Sequence, residues 1–226
     1  MNKRIRIAID TMGGDRGPES VVAGAALSKE RNPDISFLFF GNENEIEPLI
    51  EKRKNLKDSY EIIHSSEVIK PEEKPSIVLR NGKKSSMVMA IDSVSKKETD
   101  AIVSSGNTGA LMAISKLRLR TLDGITRPAM AATIPHQNGE FVMLDLGANL
   151  DCDAENLTQF AVMGSEFAKV VLGQSNPKIA ILNVGTENEK GKNYIQEASN
   201  ILKQSFLSDN FIGYIEGDGI TKGYAD

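Results

Sequence analysis

Short, strongly apolar runs alternate along the chain with longer segments in which apolar residues recur at helical spacing. Arg4–Asp10 (RIRIAID) reads as a strand. Pro18–Arg31 predicts a helix, with Val21, Val22, Ala25 and Ala26 as apolar positions and Pro18 in the first turn, where an N–H is not needed. Asp34–Gly41 (DISFLFFG) is a continuous apolar run between turn residues, the pattern of a strand buried on both faces. Glu43–Lys54 predicts a helix provided that Pro48 lies in its first turn. Tyr60–Ser65 is a strand, and Pro75–Lys96 one helix or two, with Gly82 as the break. Asp100–Ser104 is a strand that leads through a glycine loop into a helix over Thr108–Leu117. Ala129–Ile134 and Phe141–Leu146 read as strands, paired if Gln137-Asn138-Gly139 is their turn, since Asn-Gly favours tight hairpins. A helix over Asn156–Val171, a strand over Lys178–Asn183, a helix over Tyr194–Phe206 and a strand over Phe211–Glu216 complete the pattern.

This alternation predicts an α/β fold: a mostly parallel sheet between two helical layers, with the hairpin as an antiparallel element inside it. No repeat, low-complexity tract or clear linker interrupts it, so 1–226 is expected to be a single α/β domain. The last strand runs into the glycine-rich stretch 217–226 with no helical pattern to cover it. The expectation is an incomplete version of a longer protein that is either unstable alone or self-associates through its uncovered apolar surface.

Composition narrows the function classes. The 226 residues carry a formal charge of -4, with a pI near 5.4. Such a balance offers no bulk attraction to nucleic acid or anionic lipid. Hydrophobic residues at 40% and charged residues at 26% supply a globular core. The one cysteine, Cys152, excludes an internal disulfide and a cysteine metal cluster, and the two histidines, His64 and His136, exclude a histidine-rich one. Neither a signal peptide nor an apolar run of about 18 residues is present, so a cytoplasmic protein is expected.

In an open α/β sheet, ligands bind beyond the carboxyl ends of the strands. Five strand ends here carry glycine with Asp, Asn, Ser or Thr: Asp10-Thr-Met-Gly-Gly-Asp15, Ser104-Ser-Gly-Asn-Thr-Gly109, Gly147-Ala-Asn149, Val184–Gly191 and Glu216–Gly219. The loop Ser105, Gly106, Asn107, Thr108 and Gly109 opens directly into a helix, whose free N–H groups and dipole suit an anion. The plain alternative is a strand-to-helix connection with Asn107 or Thr108 as the cap. No Walker loop or dinucleotide fingerprint is present; Gly217, Gly219 and Gly223 are spaced otherwise. Lys190 and Lys192 follow another strand, where a lysine can meet a phosphate or simply be solvated. Asp10, Asp15 and Asp145 can bind a cation or orient their loops, and loop orientation is the common use. Cys152 is flanked by Asp151, Asp153 and Glu155, which disfavour a reactive thiolate.

Taken in order, IAIDTMGGD, Pro75–Arg80 running to Ser85-Ser86-Met87, VSSGNTGALMAIS, RPAMAATIP, LDLGAN, QFAVMGSEFA, LNVGTENEKG and YIEGDGI resemble the bacterial phosphate acyltransferases of phospholipid synthesis, the PlsX family. The resemblance runs from the first strand to residue 226, and members extend further. It implies a fold similar to isocitrate and isopropylmalate dehydrogenases. It also implies transfer of a fatty acyl group from acyl-carrier protein to inorganic phosphate, a homodimer, and peripheral contact with the membrane. Gly82 stands where the family tends to be basic. Phosphate is itself the nucleophile, so the protein must position it, offset its charge and stabilise a tetrahedral oxyanion. On this resemblance Asp10, Gly13, Gly14, Asp15 and the Ser105–Gly109 loop hold substrate phosphate, with Lys190 offsetting charge. Backbone N–H groups with Asn149 or Asn107 meet the oxyanion, and Asp145 and Asp15 hold the loops. Neither a metal nor a nucleotide is required. The rival readings are a non-catalytic binding or scaffold protein and a dehydrogenase-like NAD(P) enzyme.

Overall fold

The computed structural model describes residues 5–82, 84–187 and 190–226. Arg4, the expected first residue of the first strand, lies outside the described residues, as do Lys83 in the expected helical segment and Asn188 and Glu189 in the loop after Asn183. The chain divides into two compact units, residues 1–120 and 121–226.

In the first unit, β1 (Arg6–Asp10), β2 (Ser36–Gly41), β3 (Tyr60–His64) and β4 (Ala101–Ser104) form one parallel sheet in the order β3-β2-β1-β4. Helix α1 (Gly17–Arg31) and α2 (Glu43–Glu51) cover one face, where Val22, Ala26, Ile46 and Ile50 pack on Ile9, Phe37 and Phe39. The alternate residues Ala8, Leu38 and Phe40 meet Ala90 of α4 (Ser86–Ser95) on the other face. Both faces of β2 are thus buried, which is why its sequence is apolar without alternation. Phe39 is fully buried, a contribution of about 1.5–3 kcal/mol by area removed from water. A neighbouring cluster joins Met87 and Ile91 of α4 to Ala110 and Ile114 of α5 (Thr108–Leu119) and to Val78 of α3 (Pro75–Asn81).

The expected break at Gly82 is present: it caps α3, and Ser85 caps α4 by accepting the Val88 N–H. Pro48 departs from expectation. It lies inside α2, past the first turn. The carbonyl that loses its partner to the missing N–H belongs to Asn44, an exposed residue. Helix α2 also ends at Glu51, three residues before its expected end.

In the second unit, β5 (Ala132–His136) and β6 (Gly139–Met143) form the expected hairpin, as a separate two-stranded sheet rather than inside the parallel one. His136 pairs with Gly139, so Gln137 and Asn138 are the turn and Gly139 already opens β6. Helix α6 (Ala154–Val171) begins in a reciprocal box in which Asp153 and Asn156 bond each other's backbone N–H. Strand β7 (Ile179–Leu182) pairs in parallel with β8 (Phe211–Ile215) through α7 (Asn193–Lys203). Ile179, Ile181, Ala198, Leu202 and Tyr214 form their core. After β8 the chain winds into a 3-10 turn over Gly217–Lys222. Expected to continue to Phe206, α7 stops at Lys203, and Phe206 is exposed.

Candidate active site

Strand order fixes where a ligand crevice opens in the first unit. β2 and β3 lie to one side of β1 and β4 to the other: the connection after β1 runs to β2 on one side, and the connection after β3 crosses back past β1 to β4 on the other, so the strand order divides between β1 and β4. The loops at that divide are Thr11–Arg16 and Ser105–Asn107, the two that carry the sharpest glycine patterns.

Asp10 ties them together. It is almost completely buried, and Oδ1 accepts Ser86 Oγ–H at 2.6 Å while Oδ2 accepts Ser104 Oγ–H at 2.6 Å. Ser104 Oγ in turn accepts the Gly106 N–H at 3.1 Å. Burial pushes the Asp10 carboxyl above its ordinary value, against the lowering effect of the two serine hydroxyls. Ser105 Oγ donates to the Gly13 carbonyl at 2.9 Å. A Cβ on Gly13 would stand 2.7 Å from Asp10 Oδ2 and 2.9 Å from the Gly106 nitrogen. Gly14 has φ +89, and its Cβ would meet Ser105 Oγ at 2.6 Å. Only glycine permits that approach and that backbone.

The first turn of α5 follows. Asn107 is its cap: Oδ1 accepts the Ala110 N–H at 2.9 Å, and Nδ2 donates to the carbonyls of Pro71 at 2.8 Å and Glu73 at 3.0 Å. Its amide hydrogens are therefore engaged, and Asn107 clamps the segment before α3 to the start of α5. Thr108 and Gly109 are exposed at the helix opening, where N–H groups have no partner within the helix. Asp15 is exposed near the start of α1, while Gly13 is buried against Asp10.

In the second unit, Asp145 Oδ1 accepts the Met130 N–H at 2.7 Å and Oδ2 the Asn149 N–H at 2.7 Å. Asn149 Nδ2 donates to the Pro128 carbonyl at 2.9 Å and to Asp145 at 3.1 Å. Both amide hydrogens of Asn149 are used within the protein, so its side chain meets an oxyanion only by giving up one of these bonds. Asp145 orients its loop, as expected. Cys152 is half-buried, and its thiol is pushed up, first by burial and then by Asp145, with Arg127 opposing.

Lys190 extends from the loop after β7. Its Nζ pairs with Glu187 at 2.9 Å, which raises its pKa and lowers that of Glu187. Any anion that meets Lys190 has to compete with that carboxylate. Beneath it, Asn183 Nδ2 donates to the carbonyls of Gly185 at 3.1 Å and Lys190 at 3.0 Å and so closes the loop. Among the described residues, no group of three or more His, Cys, Asp or Glu is placed to hold a metal ion.

Sequence reasoning gave Ser86 and Ser104 no role at Asp10. Ser104 was visible as a strand end beside a glycine loop, whereas nothing local marks Ser86 as a partner of a carboxylate 76 residues away. A cavity of ≈ 410 Å³ in the second unit, between α6, β6 and β7, was also without a sequence signal.

The family described as fatty acid synthesis protein matches residues 5–226. The chain belongs to that family. It is 48% identical over 226 residues to a phosphate acyltransferase of Rhodospirillum centenum, covering 100% of this chain and 64% of the relative. A phosphate acyltransferase of Bradyrhizobium diazoefficiens is 47% identical over 228 residues, with 100% and 65% covered. The chain thus spans less than two thirds of the length of these curated relatives. Among solved structures, the EutD phosphotransacetylase from Staphylococcus aureus superposes with a TM-score of 0.63 at 18% identity, covering 93% of this chain and 67% of that one. That likeness is one of fold, and it bears out the α/β class. Among the described residues, no helix is long and apolar enough to cross a membrane.

Proposed function

We propose that this protein transfers a fatty acyl group from acyl-carrier protein to inorganic phosphate. The observation that carries the reading is the pair of loops bound through Asp10 at the divide of the parallel sheet, ending in the exposed first turn of α5. The names of the relatives, phosphate acyltransferase, supply the reaction class. In this reading a phosphate oxygen attacks the thioester carbonyl. The C–O bond forms, the C–S bond breaks, and the carrier's sulfur leaves as thiolate and takes a proton. Phosphate brings its own nucleophile, so the protein's task is placement and charge. The N–H groups of Thr108 and Gly109 and the positive end of α5 receive the anion. Asp10, Gly13, Gly14 and Gly106 keep the surrounding backbone in position, and Asp15 orients the loop at the start of α1. Within the second unit, Lys190 is a compact positive charge that an anion meets by displacing Glu187. Asp145 and Asn149 hold the loop after β6.

The same reading includes a cytoplasmic homodimer with peripheral contact to the inner membrane surface, and 1–226 as a single domain lacking the last third found in its relatives. The test is to incubate purified protein with an acyl-carrier thioester and phosphate, and to capture acyl phosphate as the hydroxamate. Phosphate-dependent hydroxamate is the expected result. None above a protein-free control overturns the acyl-transfer reading for this chain. Light scattering and sedimentation with anionic vesicles check the dimer and the membrane contact.

A further inference from the structure

We propose that Ser86, the first residue of α4, is a positioning residue for the phosphate-binding turn: its hydroxyl fixes Asp10 and, through Asp10 and Ser104, the backbone that opens α5. The inference rests on the acyl-transfer reading above and adds to it a residue that touches no substrate.

Ser86 is 1% exposed, and its Oγ donates to Asp10 Oδ1 at 2.6 Å. The hydroxyl is not needed to start the helix. Ser85 caps α4 by accepting the Val88 N–H, and the Ser86 N–H donates to the Glu67 carbonyl at 3.1 Å. Alanine at this position would be the better helix former. A buried hydroxyl on a buried carboxylate adds little stability over an apolar pair of the same shape. What the pair supplies is direction.

One chain of bonds carries that direction. With Ser86 on Oδ1, Asp10 presents Oδ2 to the Ser104 hydroxyl, which donates to it at 2.6 Å. The lone pairs of Ser104 Oγ are then turned to the Gly106 N–H, which it accepts at 3.1 Å. Helix α4 also meets Gly106 directly: a Cβ there would stand 2.9 Å from Met87 Cε and 3.3 Å from Asp10 Oδ2. Two successive residues of α4 thus hold one glycine, Ser86 through the carboxylate and Met87 by contact. Gly106 immediately precedes Asn107, the cap of α5, so its orientation sets where the N–H groups of Thr108 and Gly109 point. A misplacement of about 1 Å in such a support can cost on the order of 10²-fold. Burial and the two serine hydroxyls are what move the Asp10 carboxyl. Of the charged residues nearest in sequence to either partner, Asp15, Arg16 and Lys84 are exposed.

The test compares Ser86→Ala and Ser86→Cys, which keeps the size but replaces a strong donor with a weak one, with Ser93→Ala. Ser93 is another buried serine of α4, and its hydroxyl meets Ala90 and Thr99 rather than Asp10. Calorimetry reads the affinity for inorganic phosphate, and kinetics vary phosphate and acyl thioester separately. Ser86→Ala should weaken phosphate binding and raise the KM for phosphate by about tenfold, the size of one bond to a charged group. The kcat and the KM for the thioester should change little. Carbon-13 resonances of the aspartate carboxyls should show Asp10 titrating at higher pH than in the native protein, because it has lost a donor. Ser86→Cys should move the same quantities in the same direction by less, and it carries the test if the alanine variant folds poorly. Ser93→Ala should lower stability and leave phosphate affinity and the Asp10 titration as they were. Phosphate affinity or an Asp10 titration indifferent to both Ser86 variants overturns the proposal. So does an equal loss of affinity in Ser93→Ala, a loss spread evenly over kcat and both KM values, or a native protein that binds no phosphate. The two readings fail separately. Phosphate affinity that depends on Ser86 without hydroxamate formation removes the acyl transfer and keeps the positioned anion site; hydroxamate formation with a phosphate KM indifferent to Ser86 keeps the transfer and removes the role of Ser86.

Discussion

Ser104 Oγ donates to Asp10 Oδ2 at 2.6 Å, and this bond joins the ends of two neighbouring parallel strands, β1 and β4, across 94 residues of sequence. With Ser86 on the other oxygen, a single buried carboxylate fixes two loops and the first turn of α4. Burial raises the Asp10 pKa above 3.8 in the folded state. The folded protein then binds the proton more tightly than the unfolded chain, so this contribution to stability is present below pH 3.8 and is lost as pH rises through the folded-state pKa. The stability of the native protein relative to Asp10→Asn should therefore be greatest at acid pH and decline as the carboxylate ionises. Denaturant unfolding of both proteins across pH checks this. A difference that stays constant with pH shows that Asp10 does not titrate differently on folding.

Gly13→Ala should destabilise the first unit by about 1–3 kcal/mol, the usual cost of overpacking. The new Cβ would lie 2.9 Å from a backbone nitrogen, that of Gly106, which cannot swing aside as a side-chain end can. Gly24→Ala is the comparison, since no heavy atom lies within 4 Å of a Cβ there and its φ is not positive. A shift in the urea midpoint for Gly13→Ala no larger than that for Gly24→Ala shows that close approach at Gly13 costs nothing.

Lys190→Ala should lower phosphate-dependent turnover by on the order of 10²-fold, the size of effect when one charge-stabilising group is lost. Glu187→Gln should act in the opposite sense on binding. It removes the carboxylate that holds Lys190 Nζ at 2.9 Å and should lower the KM for phosphate. Steady-state kinetics with phosphate as the varied substrate separates the two. Unchanged kinetics in both variants makes the Lys190–Glu187 pair a feature of the solvated surface.

The contrast between these residues shows what the sequence carried. β2 was legible because burial on both faces leaves no polar alternation, and the break at Gly82 because a glycine interrupts a helical pattern. Asn107 was legible as a cap, since its partner Ala110 is three residues away. Its grip on Pro71 and Glu73 was not, because periodicity carries no information about contacts 34 to 36 residues distant. The same holds for Ser86 at Asp10. The bonds of Asn149 to Pro128 and Asp145 were likewise beyond what a motif shows. The hairpin turn expected over Gln137-Asn138-Gly139 narrows to Gln137-Asn138, because Gly139 pairs with His136 and already opens β6. The cavity was hidden because Ala161 and Gly164 count as apolar core positions in any helical pattern, whatever space they leave.

Cys152 should react slowly with iodoacetamide at neutral pH. Burial and the Asp145 charge both disfavour the thiolate, and Arg127 offsets them only in part. With its pKa raised above the ordinary 9.0, the thiol stays protonated near neutrality, and its alkylation rate should climb only in the alkaline range. Mass spectrometric rates measured beside glutathione across pH check this. A faster reaction than glutathione at pH 7 contradicts the assignment and reopens the nucleophile reading.

Asp145 and Asn149 should behave as one unit of structure. Asp145→Ala leaves the N–H groups of Met130 and Asn149 without their acceptor, and each part-buried donor so orphaned costs about 1–3 kcal/mol. Asn149→Ala removes the link to Pro128 and one of the two bonds from residue 149 to Asp145. Because the side chains share a bond at 3.1 Å, the double variant should lose less than the sum of the singles, with a coupling of about 0.5–3 kcal/mol. The kinetic readout separates orientation from chemistry. If the pair only holds the loop after β6, Asn149→Asp should disturb KM and stability together, because it places a second carboxylate against Asp145. Asn149→Ser, which keeps a short donor, should recover part of both. A variant with unchanged stability and KM but a large fall in kcat alone would return Asn149 to the group that touches the reacting atoms, and the structural assignment of its amide would then be wrong.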